Sequence, residues 1–184
     1  MALAKNRAKI NVKGWGYLKL REISPTPSDT FLDVGYLQET SIADTRPMVE
    51  AIDERGFQVD YVDSGASLVI IATVMQSDID IVTLLKVASG RYYDVYMHGV
   101  TADGKYQELR AYCCKLKPGP GFTNKSGAIR TVPIEIHALT VKAAFTANPV
   151  AFNIAINEQY VLLENATQQG PPIDTATAVA TAVL

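Results

Sequence analysis

Apolar and polar side chains alternate along much of this chain, and a two-residue period predicts β-strands. The clearest case begins at Val132, where Ile134 and Ile136 fall on the same face as Val132 and Glu135 falls on the other. On the same grounds, strands are predicted around residues 17–23, 33–45, 58–62, 67–75, 91–100, 106–116, 128–141, 152–156 and 160–163. The first of them, which follows Trp15, is read either as a short strand or as an extended docking arm.

One segment has a helical period instead. Ser77 is placed to cap the N-terminus of a helix, Lys86 lies near its C-terminus, and Gly90 follows as the residue that ends it. Apolar residues recur at helical spacing between them, at Ile81, Val82, Leu84, Leu85 and Ala88. The sequence therefore predicts an amphipathic helix over residues 77–89, whose apolar stripe must be covered.

Residues 67–75, SLVIIATVM, are apolar at nearly every position, so both faces of this strand are expected to be covered, one by the opposite sheet and the other by the helix or by another subunit. The predicted fold is mainly β, a two-sheet β-sandwich or partial barrel with one flanking helix. Breaks in the pattern suggest three parts: an extended N-terminal arm (residues 1–28), a β-domain (residues 29–147), and C-terminal strands with an extended tail (residues 148–184). The end of that tail is a low-complexity run of Ala, Thr and Val.

Composition narrows the class of protein. Of the 184 residues, 48% are hydrophobic. Since strands with one solvated face should alternate apolar and polar residues, some of this apolar surface is expected to be buried between subunits. No run approaches the roughly 20 apolar residues of a membrane helix, and the start lacks the apolar core of a signal peptide. We therefore expect a protein that is made in the cytosol and is not inserted into a membrane.

Charge is unevenly distributed along the chain, although the net charge is only −2. Residues 1–24 carry six basic side chains and one acidic one, whereas residues 29–63 carry nine acidic and two basic ones. Opposite patches of this kind suit head-to-tail contacts between identical subunits, and two solvated surfaces are an equally good reading. The candidate inter-subunit residues are Lys5, Arg7, Lys9, Trp15, Asp44, Glu50, Asp53 and Glu54.

No catalytic or metal-binding spacing is present. The adjacent Cys113 and Cys114 are expected to be buried free thiols on opposite faces of a strand. Neither His98 nor His137 lies in a recognisable triad or zinc pattern. The chain is predicted to be neither an enzyme nor a cofactor-binding protein.

The polar faces of three predicted strands offer acidic side chains, Asp94, Glu108 and Glu135. If sheets from several subunits closed into a ring, such a face would line its channel. An acidic lining would repel a nucleic-acid backbone and let it pass without sticking. An ordinary solvated sheet face is the alternative, and for any one residue it is the more common case.

The order of these elements over residues 33–141 resembles the major tail tube protein of long-tailed bacteriophages. The resemblance rests on DVGYLQETS, SLVIIATVM, SDIDIVTLLKVAS, YYDVYMHGVTADGKYQELRAYCCKL and VPIEIHALTV in succession. It implies a structural virion protein with a β-sandwich and a flanking helix, assembled in the host cytoplasm as stacked hexameric rings. The implied partners are copies of itself, other tail proteins such as tape measure, baseplate or terminator, and double-stranded DNA in transit.

Two alternatives remain open at the level of sequence. A tail terminator or connector would form one ring without stacking. A monomeric β-barrel that binds a small ligand would have a hollow, apolar interior.

Overall fold

A computed structural model describes residues 15–45, 48–52, 58–63, 67–75, 79–101, 103–117 and 131–184. Within them lie the strands β1 (Trp15–Ser24), β2 (Leu32–Thr45), β3 (Met48–Ile52), β4 (Gln58–Asp63), β5 (Ser67–Val74), β6 (Tyr92–Val100), β7 (Tyr106–Leu116), β8 (Val132–Ala138) and β9 (Val161–Asn165), with the helices α1 (Ile79–Lys86) and α2 (Ala176–Val183). The predicted contact residues Lys5, Arg7, Lys9, Asp53 and Glu54 and the predicted N-cap Ser77 lie outside the described residues.

Six strands form a closed antiparallel barrel. Their order is β6, β1, β2, β5, β8, β7, and the ring closes because β7 also pairs with β6. β9 pairs with the N-terminal half of β7, beside the point where β8 joins it. The prediction of a mainly β fold is confirmed, but the sheet closes on itself and a two-sheet sandwich is not confirmed.

Side chains fill the interior of the barrel. On β5, Leu68, Ile70 and Ala72 are fully buried, and they alternate with outward-facing residues as the two-residue period predicts. All six barrel strands contribute to this interior cluster. The described side chains of all six strands thus occupy the interior, where a barrel that binds a small ligand would need a cavity.

Helix α1 confirms the predicted helix, although it ends at Lys86 and not at residue 89. Leu85 and Ala88 are buried in the interior cluster, and Leu84 is partly buried against it. Gly90 has φ of 76°, the left-handed conformation that glycine readily adopts after a helix. The apolar stripe thus covers part of the barrel interior.

The predicted N-terminal arm, residues 1–28, is wrong for its second half. β1 is one of the six strands of the barrel wall, and it pairs with β2 on one edge and with β6 on the other. Leu18 and Leu20 point into the interior, whereas Ile23 packs on the outside. Because both faces and both edges of β1 are occupied, it is a structural strand and not a docking arm.

The C-terminal layer, residues 141–184, packs against the outer face of β1, β6 and β7 and builds a second core. Phe152 and Val179 are fully buried in it, against Tyr96 and Tyr112 of the barrel wall. This core unites residues on both sides of the predicted domain boundary at residue 147.

The prediction of an extended tail is wrong, because the tail contains α2. Thr175 caps this helix by accepting a hydrogen bond from the backbone N–H of Ala178. Ala176, Val179 and Val183 are buried and are spaced three and four residues apart, so they form a helical stripe. The strand predicted at residues 152–156 is wrong, because Phe152 ends a 3-10 turn (Val150–Phe152) and Ile154 forms only an isolated bridge with Phe145. β9 confirms the strand predicted around residues 160–163.

Strands β3 and β4 form a separate two-stranded ribbon between β2 and β5 along the chain. The pairing of β2 with β5 ends with Thr45 opposite Ser67, and the pairing of β3 with β4 begins with Met48 opposite Asp63. The two pairings therefore follow one another in a single long hairpin.

Candidate functional site: the two outer faces of the barrel

The outer face of β1, β6 and β7, named here the covered face, carries charged residues that are buried. The strand register places Arg21 beside Asp94 and Tyr96 beside Arg110. Arg21 is 2% exposed, and Asp94 and Arg110 are completely buried. Charges so deeply buried must be paired, since an isolated ion is very costly to remove from water.

Asp94 is shared by two guanidinium groups. Nε and Nη2 of Arg21 donate to its Oδ2 at 3.0 and 2.9 Å. Nε of Arg110 donates to Oδ1 at 3.2 Å, and Nη2 of Arg110 donates to Oδ2 at 2.8 Å. Planar guanidinium groups suit such multiple contacts with a carboxylate.

Asp174 supplies the second negative charge, from the segment that leads into α2. Its Oδ2 accepts from Nη1 of Arg110 at 2.7 Å, its Oδ1 accepts from the backbone N–H of Asn148 at 2.7 Å, and its carbonyl oxygen accepts from Nη1 of Arg21. Burial alone would lower the pKa of Arg110, but the charge and hydrogen bonds of Asp94, with help from Asp174, outweigh it and raise the pKa. The two cations and two anions of this ion cluster therefore fix the C-terminal layer to the barrel.

Glu108 of β7, an acidic residue outside the ion cluster, also holds the C-terminal layer against the barrel wall. Its carboxylate accepts from the Tyr96 hydroxyl at 2.6 Å and from the backbone N–H groups of Gln169 and Gly170 at 2.9 and 3.0 Å. Burial and the bond to Glu108 raise the pKa of Tyr96. Gln169 and Gly170 are 61 and 62 residues away in sequence from Glu108, so these hydrogen bonds join the C-terminal layer to the barrel wall.

The prediction that Asp94 and Glu108 line a channel is therefore wrong. Both side chains are completely buried within the single chain, beneath its own C-terminal layer. The alternation of β6 and β7 places them correctly on the outer face. That face is not solvated, because a second layer of structure lies on it.

The outer face of β2, β5 and β8, named here the uncovered face, is different. Ile71 points outward between Ser41 of β2 and Glu135 of β8, and 48% of its surface is exposed. The helix therefore does not cover this face of residues 67–75, and its cover by another subunit stays a prediction. Apolar content could not distinguish a face covered by this chain from one left for another chain.

Glu135 lies on the uncovered face and has two exposed side-chain partners, Lys117 and His137. Its Oε2 is 2.7 Å from Nζ of Lys117, and its Oε1 is 2.8 Å from Nε2 of His137. The hydrogen bonds from Lys117 and then His137 lower the pKa of Glu135. Its role as a channel-lining residue stays a prediction.

The predicted inter-subunit residues that fall in described strands are dispersed. Trp15 is half-buried against the interior cluster, so it contributes to this chain's own fold. Asp44 is exposed at the end of β2, where its Oδ2 accepts from the Tyr160 hydroxyl at 2.9 Å. Glu50 lies in β3, opposite Tyr61 of β4. None of these placements tests a contact between subunits.

The residues that offered chemistry in the sequence are buried or structural. Burial raises the pKa of Cys113 to about 11 and that of Cys114 well above its ordinary value, and the two thiols lie in the second and interior cores, respectively. Burial lowers the pKa of His98, whose ring lies 5.4 Å from that of Tyr17. Among the described residues, no group of three or more His, Cys, Asp or Glu side chains could hold a metal ion.

A cleft of about 190 Å³ lies where α1 meets β1 and the segment before β2. Leu20, Leu32 and Leu84 form apolar walls, and the buried Tyr93 hydroxyl has no hydrogen-bond partner among the described residues. The volume is equivalent to about six water molecules.

In the described part of the chain, no helix is long and apolar enough to span a bilayer.

No protein-family model and no curated protein matches the sequence. Among solved structures, the chain is similar to one in the virion of a native gene transfer agent particle, with a TM-score of 0.44 and 11% identity over 66% of this chain and 90% of that one. A chain in the C6-symmetric tail of an empty gene transfer agent particle gives a TM-score of 0.44 and 10% identity over 67% and 90% of the two chains. A chain in the sixfold-symmetrised baseplate of the anti-feeding prophage gives a TM-score of 0.41 and 11% identity over 65% and 84%. A likeness this loose does not assign a function to the chain.

Proposed function

We propose that this chain is a structural subunit of a phage-type tail tube, which self-assembles into stacked hexameric rings around a channel for DNA. The proposal rests on the order of elements in the sequence, on the packed barrel with its flanking helix, and above all on the contrast between the two outer faces. The chain covers one face with its own C-terminal layer. The described part of the chain does not cover the other face, where Ile71 is 48% exposed.

The uncovered face has the composition expected of a channel wall. Its outward residues on β2 and β5 around Ile71 include Ser41, Ala43 and Thr73, and the acidic Glu39 lies opposite Thr73. Across the face, the ammonium group of Lys117 is paired with the carboxylate of Glu135, which weakens its attraction for a phosphate backbone. We assign the channel to this face, with Glu135 retained from the sequence prediction, and DNA would pass without specific binding.

The long hairpin formed by β2, β3, β4 and β5 suits contacts between rings. Its β3 and β4 ribbon is not part of the barrel sheet, and among the described strands neither β3 nor β4 pairs with a third, so their outer edges could pair with another subunit. Other tail proteins, such as a tape measure, terminator or baseplate component, would meet the ends of the tube.

Negative-stain microscopy and light scattering of the purified chain test this function directly. Tubes of variable length are expected, whereas isolated rings would favour the terminator or connector and a strictly monomeric protein at high concentration would exclude both. The channel face can be located in the same tubes with Ile71→Cys. A small maleimide should label this cysteine along the tube, and a maleimide on a polymer too large for the channel should not.

Thr177→Cys is the matched control, since Thr177 is exposed on α2 of the C-terminal layer. Both reagents should label it. If the large reagent labels Ile71→Cys as fully as Thr177→Cys, the uncovered face does not line the channel.

A further inference from the structure

β9 has one open edge. It pairs with β7 through residues 161–165, and in the described part of the chain no strand pairs with its other edge. Leu162, on this strand, is 56% exposed, although neighbouring Val161 and Leu163 pack against the second core. An open edge carries unpaired backbone N–H and C=O groups, which another strand can complete.

The surroundings of this edge are acidic at both ends. Near the C-terminal end, Asp103 and Glu164 lie 3.6 and 3.4 Å from Nζ of Lys105, so two carboxylates share one ammonium group. Near the N-terminal end, Asp44 meets the Tyr160 hydroxyl at 2.9 Å. After Lys142 the chain contains no further Lys or Arg, so the layer that carries β9 has no basic side chain beyond that position.

The sequence contains a segment with the complementary pattern. Residues 4–13, AKNRAKINVK, place Lys5, Arg7, Lys9 and Lys13 at odd positions. Most of the even positions are Ala, Ile or Val, and the segment contains no acid. A two-residue period gives such a segment one cationic face and one mostly apolar face when it is extended.

We propose that residues 4–13 of a second copy of this chain add as a strand to the open edge of β9. The cationic face would lie on the side of Leu162 and Glu164, and the apolar face would extend the second core beyond Val161 and Leu163. This inference rests on the proposed self-assembly and names one of its contacts. It also replaces the general expectation of a basic arm against the acidic segment 29–63 with a specific edge.

Zero-length carbodiimide cross-linking of mixed isotope-labelled and unlabelled protein tests the contact. Cross-linked peptides that join Lys5, Lys9 or Lys13 of one isotope to Glu164 of the other are expected. Cross-links found only within one isotope would mean that the segment folds back on its own chain. That result, like the absence of any such cross-link, would overturn the inference.

Charge reversal gives an independent arm of the test. Glu164→Lys should weaken association about threefold, as for one exposed ion pair, while Glu158→Lys, the same change outside β9, should have no effect. The triple variant Lys5→Glu, Arg7→Glu, Lys9→Glu should weaken it further, and its combination with Glu164→Lys should recover part of the loss. No recovery, or an equal effect of Glu158→Lys, would contradict the contact.

Deletion of residues 2–13 separates this inference from the proposed function. If the full chain forms tubes and the deleted chain forms them at the same concentration, the strand addition is wrong and the tube stands. If the full chain forms no tubes but cross-links between copies appear, the contact stands and the tube is wrong.

Discussion

The covered and uncovered faces belong to the same barrel wall, and their strands follow the same alternation of inward and outward residues. On the covered face, the outward side chains include the buried ions Arg21, Asp94 and Arg110. On the uncovered face, they include Ile71, a large apolar residue exposed to solvent. Each face thus carries the residue type that would ordinarily be expected on the other.

The difference teaches that burial of an outer face is decided by distant parts of the chain. Asp174, which completes the ion cluster, is 64 residues away in sequence from Arg110. The C-terminal layer brings its own hydrogen-bond donors and acceptors to the covered face, so charges are tolerated there. In the described part of the chain no such layer lies on the uncovered face, and Ile71 is 48% exposed there.

The largest expected effect is at the centre of the ion cluster. Asp94→Ala would leave Arg21 and Arg110 buried with only Asp174 to balance them, and loss of one partner from a buried ion group typically costs about 3 to 5 kcal/mol. Urea unfolding followed by circular dichroism measures this loss. Glu135→Ala, on the uncovered face, is the control and should change stability little, because its ion pairs are exposed. Equal effects of the two variants would refute the distinction between the faces.

Adjacent residues of β5 allow the interior to be compared with the uncovered face. Ile70 is completely buried in the interior cluster, whereas Ile71 next to it is 48% exposed. Ile70→Ala should lower the free energy of unfolding by about 2 to 5 kcal/mol through lost burial and the cavity left behind. Ile71→Ala should change it by no more than about 0.5 kcal/mol, as for other surface substitutions. The measurement is equilibrium unfolding of the unassembled chain, and a loss of similar size in both variants would mean that Ile71 is covered.

Much of the barrel could be predicted from local patterns. The inward positions of β8, with Val132, Ile134 and Ile136 buried, follow the two-residue period, and α1 follows its apolar stripe. Such patterns determine which side chains share a face. They do not determine what lies on that face. The two-residue period therefore predicts correctly that Asp94 and Glu108 point outward, but it does not predict that both are buried under the C-terminal layer.

The C-terminal layer could be predicted only in part. The spacing of Ala176, Val179 and Val183 was a helical signal that the low-complexity composition obscured. The ion cluster had a weaker signal: Arg21, Asp94 and Arg110 are charged residues on outward positions of predicted strands. Their pairing depends on the strand order and on Asp174, neither of which is encoded in local spacing.

A smaller effect is expected at the N-terminus of α2. Thr175→Ala removes the side-chain acceptor for the N–H of Ala178 and should destabilise the C-terminal layer by about 1 kcal/mol. Cys113 lies under this layer and Cys114 inside the barrel, so their reaction with a thiol reagent reports the two regions separately. In a Cys114→Ser background, Thr175→Ala should speed the labelling of Cys113 about fivefold, since 1 kcal/mol is about a factor of five at 25 °C. In a Cys113→Ser background, the labelling of Cys114 should not change, and equal acceleration of both thiols would show that the layer and the barrel open as one unit.

The smallest effect concerns the pH response of the exposed ion pairs on the uncovered face. Lys117 and His137 lower the pKa of Glu135, so the folded state holds its carboxylate in the charged form more strongly than the unfolded state does. This contribution to stability is present above the ordinary pKa of 4.5 and is lost as the pH falls through the lowered value. NMR titration of the unassembled chain should show that Lys117→Met moves the Glu135 pKa back toward its ordinary value, and added salt should have the same direction of effect because the pair is exposed. The contribution of the ion cluster of the covered face to stability should not depend on salt, because Arg21, Asp94 and Arg110 are buried. A salt-sensitive stability that disappears in Asp94→Ala would show that the covered face is open to solvent.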